Sequence, residues 1–543
     1  MLHLIYFIIF NFGIFLLGRS FCILIYKFFI NDRFSDNNKV FTIPIYYLYT
    51  LLGLFFIGNT SVVFNFFSKN NSFILKLFFI LFLLINILKK IKINYSLLNL
   101  LNFFGIPSVI ALSSIKIGLA YDAGLYHLNS QLWIRESNIP VGLYNLHFRY
   151  GFSSIIDYIS SNFWISGRLE FLHFINLVFI ASFLSFLLYN LFNNENHFLA
   201  MSTLAIVLFG ILDNFGNGGG RNGFIDIESI TKQDTPFAII FYMSNILIFL
   251  SIKNRKISEL EILLLSFLVL FGIQLRIFGA ITVFLLIYAI LFIKKLDFKK
   301  LFPATLIGLI WSFKNLAITG CFLFPVDITC VEKLVWHESG SATREMLDLK
   351  AFHKGYEFGT PLNEWFITWF EKPINANVIL NFIFSFIIIF ILFMIFTQRS
   401  NLIFDSISRI FIIFYLLTVV YLWISTSPGI RLGIGIFMLL IGVVGINFQS
   451  FKYPIRGLNL LLGSLFFIAV FLIPKLENYI ALATNPTIYN NVLVPVVEYI
   501  EKDGFGVLPE SGSQCWINIE CIQTDKKVSY SERFIYKIFT INS

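Results

Sequence analysis

The chain is expected to form an all-α polytopic membrane protein, and three observations carry that expectation. Apolar residues make up 57% of its 543 and charged residues only 13%, too few charges to coat a soluble body of this size. Runs of about 18 or more apolar residues recur from end to end, each long enough for a helix to cross roughly 30 Å of hydrocarbon. Between alternate runs the basic residues gather in clusters, as they do on the inner side of polytopic membrane proteins.

About 14 helices follow from the runs: 3–29, 41–66, 72–88, 95–116, 169–192, 197–212, 235–252, 258–275, 277–293, 301–318, 376–396, 407–424, 430–447 and 457–473. The first starts at Leu2 with neither a basic lead nor a small-residue cleavage site, so it reads as a retained helix rather than a signal peptide. The basic clusters are Arg19/Lys27/Arg33/Lys39, Lys89/Lys90/Lys92, Lys253/Arg255/Lys256, Lys294/Lys295/Lys299/Lys300, Arg399/Arg409 and Lys452/Arg456. An outside N-terminus with strict alternation puts all of them inside. The net charge of +9 is thus spread over separate turns. That leaves no continuous basic face for nucleic acid, and none is expected as a partner.

The same alternation puts four polar segments outside. They are 117–168, 213–234 (rich in glycine at Asn217-Gly218-Gly219-Gly220), 319–375 and a C-terminal tail, 475–543, that follows a transmembrane domain of residues 1–474. One joint decides everything downstream: Gln274-Leu275-Arg276 must form a very tight turn, and merging its two helices would invert the rest. Cysteine offers a separate indication. Cys22 lies in the first helix, whereas Cys321, Cys330, Cys515 and Cys521 all fall in outside segments, as suits disulfides in an oxidising periplasm. Local pairing, Cys321–Cys330 and Cys515–Cys521, is the first choice among three connectivities. Zinc is the rival use of these cysteines.

The candidate site is Tyr121-Asp122-Ala123-Gly124-Leu125-Tyr126-His127, a polar cluster directly after an apolar helix, where ionisable groups are costly and usually functional. Tyr121, Leu125, Leu128 and Leu132 repeat at helical spacing. Asp122, Tyr126, Asn129, Trp133 and Glu136 form the neighbouring polar-aromatic stripe. The expectation is a helix over 122–136 lying in the interface plane, apolar face down. Asp122 is either its N-cap or a general base or metal ligand at a membrane-surface active site, and His127 is either a site residue or an interfacial hydrogen-bonding group. Further on, His147 and Arg149 stand among aromatics that suit sugar stacking or an interfacial belt.

The pattern around Asp122, with Trp133-Ile134-Arg135-Glu136, Gly142-Leu143-Tyr144-Asn145-Leu146-His147 and Arg149, resembles an uncharacterised family of bacterial polytopic membrane proteins of surface-polysaccharide gene clusters. The resemblance continues through Lys314-Asn315, Thr319-Gly320-Cys321, Phe324-Pro325, Trp336, Ser427-Pro428-Gly429-Ile430-Arg431 and Gln514-Cys515-Trp516. Lys314 stands where that family usually has arginine, which keeps the charge and loses the bidentate fork. The family in turn resembles the GT-C glycosyltransferases, multi-helix enzymes of the cell envelope that use a polyprenyl-phosphate-linked sugar. Those carry a catalytic acid in the first large outer loop beside a short helix on the membrane, the position of Asp122. Ala123 stands where a second acid is usual, so a divalent metal is an open option and no other cofactor is implied.

The resemblance implies a transferase in the bacterial inner membrane, both termini periplasmic, working in surface polysaccharide or O-antigen biosynthesis. It would move a sugar or oligosaccharide from a lipid-linked donor to a glycan or lipid acceptor, or polymerise repeat units. Asp122 would take the acceptor proton and His127 would orient the hydroxyl or bind the acceptor. Arg149, His147, Arg276, Lys314 and Arg431 would bind substrate or donor phosphate, although each cation could instead snorkel to the headgroups. A flippase of lipid-linked sugars is the alternative, and it should carry charges deep in several helices. Here they sit mostly at helix ends, which favours the enzyme. Asp213 and Asp226 flank the glycine-rich loop, and Glu332, His337, Glu338, Arg344 and Glu345 belong to a polar stretch expected to cap the cavity. Gly433/Gly435 and Gly442/Gly445 read as close helix packing rather than a phosphate cradle.

Overall fold

A computed structural model describes every residue except 1, 31–33, 90, 94–95, 165–168, 194–195, 214–224, 226, 294–297, 357–359, 400–403, 452–455, 485–491, 503, 525 and 542–543. Arg33, Lys90, Asp226, Lys294, Lys295, Lys452 and the glycine run at 217–220 therefore lie outside the described residues. The chain is mostly helical, with a helix at the place of each apolar run. Among the described residues seven helices are long and apolar enough to cross a membrane: Leu2–Phe29, Glu170–Phe192, Asp234–Asn254, Lys299–Thr319, Pro373–Phe396, Ser406–Thr426 and Asn459–Thr484. Shorter apolar helices, among them Tyr49–Asn65, His197–Asp213 and Ile430–Ile446, pack with them.

Asp234–Asn254 lies at the centre of the bundle, buried along its length, while Pro373–Phe396 and Ser406–Thr426 turn most of their apolar side chains outward. Ile430–Ile446 wedges between His197–Asp213 and Asp234–Asn254. A Cβ on Gly445 would stand 2.2 Å from the Met201 carbonyl oxygen and one on Gly442 2.6 Å from the Tyr242 ring. These glycines are packing sites, as expected.

Two boundaries and one helix interior differ from the sequence expectation, each at a proline. The helix expected from 41 begins at Tyr49, because Lys39–Val40 pairs with Ile43–Pro44 and Pro44 is extended (φ −56°, ψ 132°). A π-helical turn, Leu101–Gly105, precedes Pro107 within the helical segment Leu97–Ser113. The last helical path runs past 473 to Thr484, since Pro474 stands in a tight turn that leads straight into Leu476–Thr484.

The doubtful turn is real. Glu259–Leu275, opened by a capping box between Ser258 and Glu261, ends at Leu275; Arg276 is extended, and Ile277–Ala280 doubles back before Ile281–Phe292. Gly279 makes the reversal possible: a Cβ there would lie 2.6 Å from the Gly272 carbonyl carbon. Gly279→Ala is therefore expected to lower stability by about 1–3 kcal/mol, read as the thermal midpoint in detergent; an unchanged midpoint would refute the packing described.

The four polar segments meet one another. The Asn145 side chain donates to the carbonyls of Trp336 (3.0 Å) and Phe539 (2.9 Å), and Lys232 pairs with Asp122. Among the basic clusters, Lys300 donates to the Phe29 carbonyl, Arg255 pairs with Asp405 at 3.7 Å and Arg19 donates to the Lys89 carbonyl at 3.0 Å. The polar tail is more structured than its composition indicates, with antiparallel pairs Tyr499–Glu501 with Val507–Pro509 and Val528–Arg533 with Tyr536–Ile541. Cys321–Cys330 and Cys515–Cys521 are joined as disulfides, and Cys22 is free and buried.

Candidate active site

Asp122 stands in the first turn of a helical stretch that leads through a π-helical turn, Ala123–His127, into Leu128–Glu136. Its carboxylate caps no backbone N–H. Instead one oxygen, Oδ2, accepts from Lys232 Nζ at 2.5 Å and from Arg431 Nη1 at 3.4 Å. Burial pushes the Asp122 carboxyl up, but the Lys232 hydrogen bond and charge, with Arg431 and His127, outweigh it and leave the group below the usual carboxylate range. The acid is ionised at neutral pH.

Arg431 lies at the start of Ile430–Ile446, where the helix dipole favours anions. Asp122 compensates it there. The Ser427-Pro428-Gly429 turn before it is held by His353, whose Nδ1 lies 2.7 Å from Ser427 Oγ and whose ring fills the space a Cβ on Gly429 would need, 2.4 Å away. Burial pushes His353 down to about 4, against the Leu349 carbonyl it bonds, and the charges of Arg431, Arg276 and Arg149 act in the same direction. Three of the four cations singled out in the sequence thus converge on one neighbourhood. Arg276 pairs with Asp234, the buried first residue of Asp234–Asn254, and Arg149 stacks over Phe148 (4.7 Å) and Phe152 (5.9 Å).

Lys314 is placed elsewhere. It is fully buried, donates to Ser153 Oγ at 2.6 Å and sits 3.6 Å from the Trp311 ring centroid. His127 is buried as well, its Nδ1 3.2 Å from Asp157 Oδ1. Asp157 also accepts from Gln131 (3.3 Å), which in turn accepts from Trp164 (2.9 Å), so His127 belongs to an oriented polar network behind Asp122. The His147 ring lies 6.1 Å from that of Tyr126, and burial, then Arg149, pushes it down to about 3. Its Nδ1 accepts from the Arg149 N–H at 3.4 Å while Nε2 is buried without a partner. The ring is neutral at pH 7, with its proton on Nε2.

Much of the polar-aromatic stripe of this helix is covered by protein. Tyr121 is 62% exposed, whereas Trp133 (1%), Asn129 (0%) and Gln131 (0%) are covered. The tail does the covering: the Trp516 N–H donates to the Gly124 carbonyl (2.8 Å), Gln514 to the Tyr121 carbonyl (2.8 Å), and Asn129 to the Asn518 carbonyl, while Phe539 packs edge-on against Trp133. The polar stretch after 330 contains the helix Ser341–Lys354, which places Glu345 on the Tyr144 hydroxyl (3.2 Å), and Glu338 lies between Arg344 and Lys526. Asp213 is buried at the end of its helix.

The donor set does not fit a divalent metal, because the Asp122 oxygen is shared by two cations and Ala123 offers no second ligand. The metal-like cluster among the described residues is Cys321, Cys330 and His337, and its sulfurs are spent in a disulfide. Lys232 and His353 were not singled out in the sequence. For Lys232 a signal existed, one of two basic residues, with Arg221, in a segment assigned outside, where cations are uncommon.

No curated protein and no solved structure matches the chain. The family model described as Domain of unknown function (DUF8201) matches residues 1–438, which hold Asp122, Lys232, Arg276 and Arg431 and stop before the tail, and the chain belongs to that family.

Proposed function

We propose that this protein is a membrane glycosyltransferase that moves a sugar or oligosaccharide from a polyprenyl-phosphate-type donor to an acceptor hydroxyl at the periplasmic face of the inner membrane. The observation that carries the reading is the single Asp122 oxygen shared by Lys232 and Arg431, with Arg276 and Arg149 close by. A carboxylate among several cations suits a reaction that releases a phosphate and must also collect a proton.

In this reading the donor phosphate takes the place of the Asp122 oxygen on Lys232 and Arg431. Its negative charge then raises the proton affinity of the freed carboxylate. The acceptor oxygen bonds to the anomeric carbon as the carbon–oxygen bond to phosphate breaks. The electron pair leaves on the phosphate, where the cations hold it, and Asp122 takes the hydroxyl proton. His127, oriented by Asp157, and neutral His147, with its free Nε2–H, line the acceptor side, and the exposed face of Arg149 with Phe148 offers a sugar-stacking surface.

Two measurements test this. Asp122→Asn in the native strain, scored for surface polysaccharide and lipid-linked intermediates, tests the chemistry. For the compartment, Tyr121→Cys is expected to react with a membrane-impermeant maleimide added to intact spheroplasts, since Tyr121 is exposed and no native cysteine is both free and exposed. Labelling only after the membrane is opened would put the site in the cytosol and end the proposal.

A further inference from the structure

A charged cavity of about 400 Å³ lies among the basic clusters, away from Asp122. It forms where Asp234–Asn254 ends and Ser406–Thr426 begins, and is lined by Ile252, Lys253, Arg255, Phe404, Asp405, Ser406 and Arg409. Three cations face one acid. Arg255 takes up the Asp405 charge at 3.7 Å, whereas Arg409 donates to the Phe404 carbonyl (3.3 Å) and Lys253 lies over the Phe198 ring (5.1 Å). Among the described residues neither Lys253 nor Arg409 has a carboxylate at ion-pair distance. Two positive charges therefore go unneutralised in a concave site with a phenylalanine floor.

Two details point to a ligand and to its source. Arg255 holds a left-handed conformation (φ 48°, ψ 31°) at the helix end, where glycine is the unstrained choice. Strain of that kind is kept where the surroundings over-determine it, here where the Arg255–Asp405 pair forms part of the pocket wall. From Ser406 an apolar track, Ile407, Ile410 and Phe414, runs down the same helix, 70%, 69% and 66% exposed. A cationic pocket at the head of an exposed apolar stripe, at the ends of two helices long enough to span, has the anatomy of a lipid site.

We propose that this pocket binds the phosphate of an anionic membrane lipid, with Lys253 and Arg409 as its ligands and the acyl chains along Ile407, Ile410 and Phe414. The site is independent of the transferase reading. A free phosphate compound would use the same cations, so the test separates the two sources. The full chain, purified in detergent, is titrated with phosphatidylglycerol, with phosphatidylcholine and with inorganic phosphate, and the thermal midpoint is followed. Phosphatidylglycerol is expected to raise the midpoint by several degrees, and the other two are not. K253Q/R409Q should need at least about tenfold more phosphatidylglycerol for half the effect, each single substitution should fall between, and K253R/R409K should behave as the natural chain. An unaltered response in the single and double glutamine variants overturns the proposal, as does an equal shift from phosphatidylcholine. An equal shift from inorganic phosphate overturns the lipid as the source.

Discussion

Replacing Asp122 by asparagine is expected to stop glycan transfer while the protein stays in the membrane at its normal level. Asparagine keeps the shape and an oxygen that can accept from Lys232, so the local fold survives; only the negative charge and the proton acceptor are lost. Loss of a positioned general base costs typically about 10²–10⁴-fold in rate, enough to erase the surface polysaccharide and leave its lipid-linked precursor in the outer leaflet. Normal polysaccharide at normal protein level would remove Asp122 from the chemistry. Precursor trapped in the inner leaflet would favour transport instead.

The pH dependence gives the same claim a second handle. Because Lys232 and Arg431 hold the Asp122 carboxyl down, the empty enzyme keeps its base ionised to below the usual carboxylate pKa of about 3.9. Activity is thus expected to fall only on strong acidification, as pH drops through that depressed value. Lys232→Met removes the largest of the downward influences, so the acid limb of kcat/KM should move to higher pH, besides the loss of phosphate binding. A limb that does not move would mean that the carboxylate and Lys232 act separately.

The largest effect on stability is expected from Asp36→Ala. Arg19, within Leu2–Phe29, is 1% exposed and Asp36 2%. The two form a fork: Nε to Oδ1 at 2.6 Å and Nη2 to Oδ2 at 3.0 Å. Asn86 and the Lys89 carbonyl take the remaining Arg19 donor, each at 3.0 Å, while Tyr49 and the Lys92 N–H complete the carboxylate at 3.0 and 2.9 Å. Alanine would strand a guanidinium among these helices, at about 3–5 kcal/mol. The check is the thermal midpoint and the yield of folded protein. A double substitution to apolar residues, Arg19→Met with Asp36→Leu, should recover much of the loss, since it leaves no unpaired charge. A single variant as stable as the natural chain would show that the pair contributes little.

The helices were legible because each rests on a local property, a run of apolar residues long enough to satisfy its own backbone. So was the polar cluster at Asp122, since such a cluster beside an apolar helix is conspicuous in any order of reading. What surrounds it was not. Lys232 is 110 residues away along the chain and Arg431 is 309, and nothing in helical periodicity couples such distances. Arg19 illustrates a subtler failure. It reads as a topological marker in the first basic cluster, yet it is buried and paired, because the sign of a charge carries no information about its partner. The cover over residues 122–136 was hidden for a related reason: a stripe pattern assumes that one face meets water or lipid, and here the tail packs on the polar stripe. Part of the tail hairpin could have been found, since Val528, Ser529, Tyr530 and Ser531 alternate apolar with polar, but Ile538 beside Phe539 breaks that period in its partner strand.

The hydrogen bond from Trp516 to Gly124 joins residues made hundreds of codons apart. A ribosome delivering this protein makes Asp122 long before Trp516 exists. During that interval Trp133, Asn129 and the edge of Gly124 have nothing against them, and the pocket stays unfinished. Newly inserted chains should therefore pass through a stage that is anchored yet inert and easily clipped by proteases. Activity would arrive in one step, when the final segment has settled onto its seat.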